Sequence, residues 1–577
     1  MLEESAKKGA QEDSKEITFS SHKFKTYLPW IILFALLILG GYLRFYHIDY
    51  PVVGYHNWKE THYLTEARNF AREGFFAHGF FVPAWDLPFV TEDLSGAHAD
   101  TFPTISILGA ISFKIFGEEL WAARSIGVLL NLASIIFLYI IVKQLFKREA
   151  LALVTAALAA INPLMVFFSR NFQLDSPALF LMLAGTYFFL KWIEHDKPRD
   201  FLLCAAFVTF GIITKYSFVV MALPFLVVFP YRRLLAYKTR LKTFVPGLLI
   251  SLAFPLWFWY MEFYFKAKIK ALYGATGGAV ISLTDIVNFG TAFTAEYWMT
   301  MKSFFADNFT LLGMIIAVIG LVLLVIFRKK YALGAKFMLS YAGLGILFSI
   351  VLAAKLGGHS YHQFPYAPLI VFLIAFAFVV LATTLTGLTT IPHLRWPILI
   401  GLILLLWYGV PSLHGGVPDA LERQFGTQFP GLDAAGDLVK LESQPWERIM
   451  HSSHQSYGIL WNADRKGYKL PDTVWQIQDL EEANATWIFV YQWRFNIFQN
   501  PEVMTYLRQN YQLRQIGFTL QKENFSPYYY LFEKGGSFDE TKLNELLSGK
   551  PVSSRRYEMP GGIFELNIIT LARQIEP

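Results

Sequence analysis

The sequence predicts a polytopic α-helical membrane protein that ends in a soluble α/β domain. Three observations carry this. Hydrophobic residues make up 54% of the 577 residues and charged residues only 16%, against ~25% in ordinary globular domains. Apolar runs of spanning length recur along the first two thirds of the chain, and mean hydropathy is +0.38. Beyond about residue 413 the pattern changes, and charged residues mix with short β-like runs. Aromatics at 17% suit lipid-facing surfaces and interfacial belts.

Residues 1–27 read as a cytoplasmic tail with Lys7, Lys8, Lys15, Lys23 and Lys25. The first apolar run, about 28–46, lacks a small-residue cleavage site after it and reads as a retained signal-anchor. Further runs fall at 120–142, 149–168, 176–193, 200–214, 217–231, 244–263, 309–327, 336–354, 366–386 and 395–413. Length and hydropathy give about eleven spans. The piece 102–116, which contains Lys114, reads as re-entrant or interfacial.

With the N-terminal tail inside, the basic short loops all fall on one side. They hold Lys143, Lys147 and Arg148; Lys191, Lys197 and Arg199; Arg232, Arg233, Lys238, Arg240 and Lys242; Arg328, Lys329 and Lys330; and His393 with Arg395. That agrees with the positive-inside rule. The loop 47–119, the turns at 169–175 and 215, the loops 264–307 and 355–365, and the tail then lie outside. In the tail, 414–577, Thr486–Tyr491 and Tyr528–Phe532 are strand-like and Pro501–Asn510 is helical. The pattern fits a soluble α/β domain. Cys204 is the single cysteine, so an intrachain disulfide and a cysteine zinc cluster are excluded. A net charge of +6, spread over inter-span loops, reads as membrane orientation and excludes a nucleic-acid partner.

The first outer loop is long for a connector, which points to function. It opens with His56-Asn57-Trp58-Lys59-Glu60-Thr61-His62-Tyr63. Apolar residues at Leu64, Ala67, Ala71 and Phe75 recur at helical spacing. Lys59, Glu66, Arg68, Arg72 and Glu73 mostly take the other side. The spacing predicts an amphipathic helix along the membrane surface. Asn57 and Glu60 resemble a capping box, with Glu60 bonding back to the Asn57 N–H. A carboxylate at a helix start is also held ionised, as a general base must be, so the two readings of Glu60 coexist.

His56, His62, His98 and Asp100, with Glu60, Glu92 and Asp93, form a candidate metal or acid–base cluster. The spacing matches no standard zinc pattern, and a divalent cation shared with a phosphate is the form a metal would take. Arg170 and Asp175 flank an outer turn, and Pro177 fixes a sharp helix start after Asp175. Lys215 stands between two runs and either snorkels or meets a phosphate. The segment Lys355-Leu-Gly-Gly-His359-Ser-Tyr361-His362 reads either as an interfacial belt or as a seat for a lipid-phosphate head group.

Several pieces occur in order: Arg44 at the end of the first span; Trp58-Lys-Glu-Thr-His-Tyr63 leading to Ala67-Arg-Asn-Phe70; Phe102-Pro103; Phe116-Gly117; Ala123-Arg124; Asn162-Pro163; Ser169-Arg170 and Asp175; Lys215-Tyr216; and Gly358-His-Ser-Tyr-His362 with Pro365 and Pro368. This order resembles the GT-C membrane glycosyltransferases of the dolichyl-phosphate-mannose–protein mannosyltransferase type, a group that includes the bacterial aminoarabinose transferases of lipid A. The resemblance covers about residues 28–390. It departs from the family at two places. The usual Asp-Glu pair reads Lys59-Glu60, with Tyr63 in the family's place. Against relatives reading His-x-Trp-Arg-Gln-x-Asp, Glu60 and His62 replace Gln and Asp. The family's Lys before Pro-Pro is also absent, since Thr101-Phe102-Pro103 stands there.

The resemblance implies a GT-C-like fold and inverting transfer of a sugar from a polyprenyl-phosphate donor on the outer face. The acceptor would be a protein, lipid or cell-surface glycan. Glu60 is then expected as general base, with His62 in reserve. His56, Lys59, Tyr63, Asp100, Arg170, Asp175, Lys215, Lys355, His359, Tyr361 and His362 are the expected substrate-binding residues. The competing classes are a lipid or sugar transporter or flippase and an inactive scaffold of the same fold. Polar residues crowded into outer loops, with no internal repeat, favour surface chemistry over transport.

Overall fold

A computed structural model describes residues 26–84, 97–98, 101–235, 237–267, 288–389, 391–452, 458–521 and 524–574. Within these, six helices are long and apolar enough to cross a bilayer: α1 (Thr26–Phe45), α4 (Leu120–Phe146), α7 (Asp175–His195), and the helices Leu241–Phe265, Ala332–Val351 and Ser360–Thr389. Two bent pairs bring the number to as many as eight. These are α5 (Glu149–Ile161) with α6 (Pro163–Arg170), bent by 53°, and Ala295–Phe309 with Leu311–Ile326, bent by 94°. The chain is thus a multiply spanning integral membrane protein, but the expected eleven spans are not found.

The shortfall has local causes. Asn162 caps α6 through its side chain and Pro163 takes the first position, so the run 149–168 breaks where a hydropathy window sees continuity. The runs at 200–214, 217–231 and 395–413 fold as α8 (Pro198–Thr214) and the short apolar helices Tyr216–Val228 and Arg395–Tyr408. Even 17 residues reach only ~26 Å, short of the ~30 Å hydrocarbon core. The piece expected to be re-entrant is α3 (Thr104–Phe116), also too short to span.

Arg44 closes α1 and is buried. Its guanidinium donates to Asn131 Oδ1 on α4 and to the carbonyls of Gly40, Ala159 and Ala160. A charge at this depth is costly unless fully bonded, and here it ties α1 to α4 and α5.

Helix α2 (Asn57–Glu73) departs from expectation most. It does not lie on a surface with one face in water: twelve of its residues, Asn57 and Glu60 to Phe70 continuously, are buried. Its apolar side packs with Ile105, Phe113, Ala123 and Phe172. Its polar side meets protein too, since Arg68 pairs with Asp464 at 2.9 Å, and Arg72 bridges Glu118 and Asp464. The hydrophobic period holds, but the C-terminal region covers the face expected to be wet.

That region holds a seven-stranded mixed sheet in the order β2-β1-β3-β5-β4-β7-β6. Its strands are β1 (Arg448–His451), β2 (Gly467–Lys469), β3 (Ala485–Tyr491), β4 (Tyr511–Gln521), β5 (Asn524–Lys534), β6 (Val552–Met559) and β7 (Gly562–Thr570). The first three pair in parallel and the rest antiparallel. The strand-like runs and the helix Pro501–Asn510 expected in the tail all form. β3 alternates as a sheet buried on both faces must. Trp487, Phe489 and Tyr491 enter one apolar layer, Ile488 and Val490 the other. The C-terminal region is stitched to the loop 47–119 by His47–Glu558 at 2.9 Å, by Tyr50 Oη to Thr427 Oγ1 at 2.7 Å and by a Gly54–Thr427 bridge.

Candidate functional site

Four stretches far apart in sequence meet beside the start of α2. His56 precedes the helix with φ of 55°, a left-handed conformation that a non-glycine residue adopts only where its surroundings impose it. Its carbonyl accepts from the Lys59 and Glu60 N–H groups. The turn aims its ring at Phe168, His359 and Tyr361, with centroids 5.9, 5.1 and 5.0 Å away. Trp58 meets His359 at 5.5 Å, and Tyr55 Oη shares a hydrogen bond with Ser360 at 3.0 Å.

From the spans come Asp175, in the first turn of α7, and Lys215, which ends α8. Lys215 Nζ donates to Asp175 Oδ1 at 2.6 Å and lies 4.4 Å from the Tyr361 ring centroid. His359 stacks on Tyr361, and His362 lies beside both. Lys59 Nζ sits over Trp58 and Tyr63. Burial, then the charges of Lys59, Lys355 and Lys215, pushes His359 down to about 4. Burial, then His359, Lys59 and Lys215, holds His56 well below the usual histidine range. These imidazoles are neutral at pH 7. His362 is 4% exposed, yet neither of its ring nitrogens has a hydrogen-bond partner among the described residues, nor does His56 Nε2. Unmade hydrogen bonds on buried polar atoms cost about 1–3 kcal/mol each. Lysine ammoniums and buried imidazole nitrogens gathered in one place make an anion-binding arrangement.

Glu60 stands elsewhere. Arg124 of α4 grips it, Nε to Oε1 at 2.7 Å and Nη2 to Oε2 at 3.1 Å, and the Phe172 N–H donates to Oε1 at 3.1 Å. Arg124 also donates to the Ile48 and Tyr50 carbonyls. The expected capping box does not form, because His56 rather than Asn57 precedes the helix, and the Asn57 amide points to the Val52 carbonyl. Burial works to raise the Glu60 pKa. Arg124, through charge and hydrogen bonds, then Arg170 and the Phe172 N–H together hold it below the usual carboxylate range. A carboxylate with both oxygens engaged and a lowered pKa serves poorly as a proton acceptor. Gly127, one turn beyond Arg124, makes this fit possible, since a Cβ there would lie 2.4 Å from the Ser169 carbonyl oxygen. Arg170 belongs to this side as well. It donates to the His47 carbonyl at 2.9 Å and packs on the Phe425 ring.

A third group lies further along α2. His62 Nε2 is 2.6 Å from Glu66 Oε1, and His98 Nδ1 is 2.7 Å from the same oxygen. Ser106 Oγ donates to Glu66 Oε2 at 2.8 Å. Burial lowers His62 to about 4, against the opposing pull of Glu66. For Glu66, burial acts upward, but His62 and His98 outweigh it and the carboxylate stays ionised. Tyr63 stacks on His62 at 5.0 Å. Asp100, Glu92 and Asp93 lie outside the described residues.

The expected residues therefore sort into separate groups. His56, Lys59, Asp175, Lys215, His359, Tyr361 and His362 converge, and the charge of Lys355 reaches them. Glu60 and Arg170 form a structural post, and His62 joins Glu66 and His98. Sequence reasoning passed over Arg124 and Glu66 as chemistry. A charge inside an apolar run was the available signal for Arg124, whereas Glu66 looked like an ordinary polar-face residue.

Comparison with known proteins agrees with this architecture. Residues 98–261 match the family described as "Dolichyl-phosphate-mannose-protein mannosyltransferase". Two Bacillus subtilis (strain 168) proteins are similar. "Putative mannosyltransferase YycA" is 27% identical over 225 residues, covering 38% of this chain and 30% of that protein. "Putative mannosyltransferase YkcB" is 28% identical over 228 residues, covering 39% and 29%. The matched stretch thus spans less than a third of either relative. Among solved structures, ArnT from Cupriavidus metallidurans bound to undecaprenyl phosphate aligns with a TM-score of 0.54 at 12% identity, covering 87% of this chain and 97% of that one. The Archaeoglobus fulgidus oligosaccharyltransferase in complex with Zn and sulfate aligns at 0.53 and 14% identity, covering 91% and 78%. The fold is GT-C-like, and the resemblance read from the ordered motifs is borne out.

Proposed function

We propose that this protein transfers a sugar from a polyprenyl-phosphate carrier to an acceptor at the membrane surface, with N-terminus cytoplasmic and the C-terminal sheet outside. The observation that carries this reading is the convergence of Lys215, Lys59, His56, His359 and His362 beside the start of α2. In the reaction the phosphate becomes the leaving group. Negative charge grows on its oxygens as the glycosidic C–O bond breaks, and donors already aimed there stabilise that charge without reorganising. Lys215 is the principal cation, held in place by Asp175. The neutral imidazoles supply N–H donors. The isoprenoid tail lies among the spans, and a single displacement inverts the anomeric carbon. Glu60, held by Arg124 and the Phe172 N–H, is not the acceptor's base in this reading. The sugar and acceptor classes follow from the matched relatives only as far as a glycosyl donor on a lipid phosphate.

Purified protein incubated with a polyprenyl-phosphate sugar and a membrane extract releases free carrier phosphate and labels an acceptor. Failure of the carrier to lose its sugar under any acceptor mixture, with donor shown to bind, would remove the transferase reading and leave a transporter.

The histidines add a pH signature. An anion next to His359 raises its pKa above the free protein's value of about 4, so binding takes up a proton. Affinity for polyprenyl phosphate therefore strengthens as pH falls through the bound-state pKa, and levels off below the free-state one. Affinities measured between pH 7.5 and 5 are expected to show this rise in the wild type and to be flatter in His359→Gln.

A further inference from the structure

We propose that His62, Glu66 and His98 form a binding site for a zinc-class divalent cation, further along α2 than the residues gathered at its start. The three donor atoms, His62 Nε2, a Glu66 carboxylate oxygen and His98 Nδ1, lie within 4.8 Å of one another. His62 and Glu66 are one helical turn apart on α2, so their side chains share a face. His98 comes from across the loop, and its backbone N–H donates to the Pro83 carbonyl at 2.9 Å. Two imidazoles and one carboxylate are a donor set that three-ligand zinc sites use, with a fourth position open to water or substrate.

The geometry needs little adjustment. Both nitrogens stand 2.6–2.7 Å from the same Glu66 oxygen. Tetrahedral zinc with bonds of about 2.0–2.1 Å separates its ligands by ~3.3 Å, so each nitrogen–oxygen pair opens by well under an ångström while the two nitrogens, within 4.8 Å of each other, settle at the same spacing. The second oxygen of Glu66 is already fixed by Ser106 Oγ at 2.8 Å. That is the outer-sphere bond that orients a metal-binding carboxylate. The site is buried, with Glu66 0% and His62 4% exposed, and nitrogen donors favour zinc, cobalt or nickel over magnesium or calcium.

The test uses the full chain in detergent, purified through a tag without histidine, stripped with chelator and titrated with Co(II) and Zn(II). The expected result is one Co(II) per chain with the visible absorption of a four- or five-coordinate ion, displaced by Zn(II) and not by Mg(II). Ser106→Ala, which leaves every ligand in place, is expected to weaken binding 10–100-fold, and His62→Ala/His98→Ala to abolish it. Absence of tight Co(II) or Zn(II) binding by the folded wild type overturns the proposal whatever the variants do. So does stoichiometric binding that survives the double substitution. Metal content is the readout, so the result stands apart from whether sugar transfer is observed.

Discussion

Lys215→Met is expected to lower turnover by about 10²–10³-fold, the range measured when one preorganised donor to a developing oxyanion is removed. The ammonium is hydrogen-bonded to a fixed carboxylate, at 2.6 Å from Asp175, and it faces the rings of His359 and Tyr361. Because charge on the phosphate grows toward the transition state, the loss should fall mainly on kcat, with a smaller rise in KM for the donor. Asp175 complicates the experiment. At 1% exposure it would become a buried acid without its cation, and breaking such a pair typically costs 3–5 kcal/mol. Lys215→Met/Asp175→Asn removes that penalty by taking out both charges. The double variant should therefore recover the thermal stability of the wild type and stay as slow as the single one. Turnover recovered along with stability would mean that Lys215 acts only as Asp175's structural partner, and the phosphate seat would have to be placed elsewhere.

Much of this arrangement was legible in the residues, and the limits have physical causes. Spans, the long loop after the first of them and the tail's mixed character follow from composition and period, which report what each residue wants of its solvent. Helix breaks were less visible: Asn162-Pro163 marks one plainly, but the 94° bend between Ala295–Phe309 and Leu311–Ile326 has no proline to announce it. His56, Lys59, Lys215 and the 359–362 segment could be singled out because polar groups at the end of apolar runs are expensive and so tend to carry function. Their meeting could not be read, since it depends on how α7, α8 and Ser360–Thr389 pack. The same blindness hid the partner of Glu60. That partner, Arg124, is 64 positions away on a helix whose register against α2 no local pattern encodes. Local rules offered Asn57 instead, and tertiary pairing overrode them. Glu66 was hidden by the converse error. An acid on the polar stripe of an amphipathic helix looks solvated until a second protein layer covers it.

Glu60→Gln separates these two descriptions of α2 more sharply than any other substitution. If Glu60 were the acceptor's base, its loss would cost about 10²–10⁴-fold in turnover with the fold intact. The geometry instead has it joined to Arg124 at 2.7 Å with 1% and 4% of the two side chains exposed, plus the Phe172 N–H. Removing the charge leaves a buried guanidinium without its counterion, so the expected loss is in stability, up to the 3–5 kcal/mol typical of a broken buried pair. Gln keeps the shape and an acceptor oxygen, so the effect should lie toward the lower end, and Arg124→Ala, which also releases the Ile48 and Tyr50 carbonyls, toward the upper. Turnover per folded molecule at a permissive temperature should change by far less than 10²-fold. The pH dependence gives an independent check with a definite sign. The folded-state pKa of Glu60 is depressed below its ordinary value of 4.5, so its contribution is fully present above that value. It is lost as pH falls through the folded pKa, when the unfolded chain has already taken up the proton. The wild type's melting temperature should thus fall on acidification below about pH 4.5, and the Glu60→Gln variant's should fall less steeply from its lower starting point. A variant that melts like the wild type at every pH yet turns over 10²-fold slower would return the proton-accepting role to Glu60.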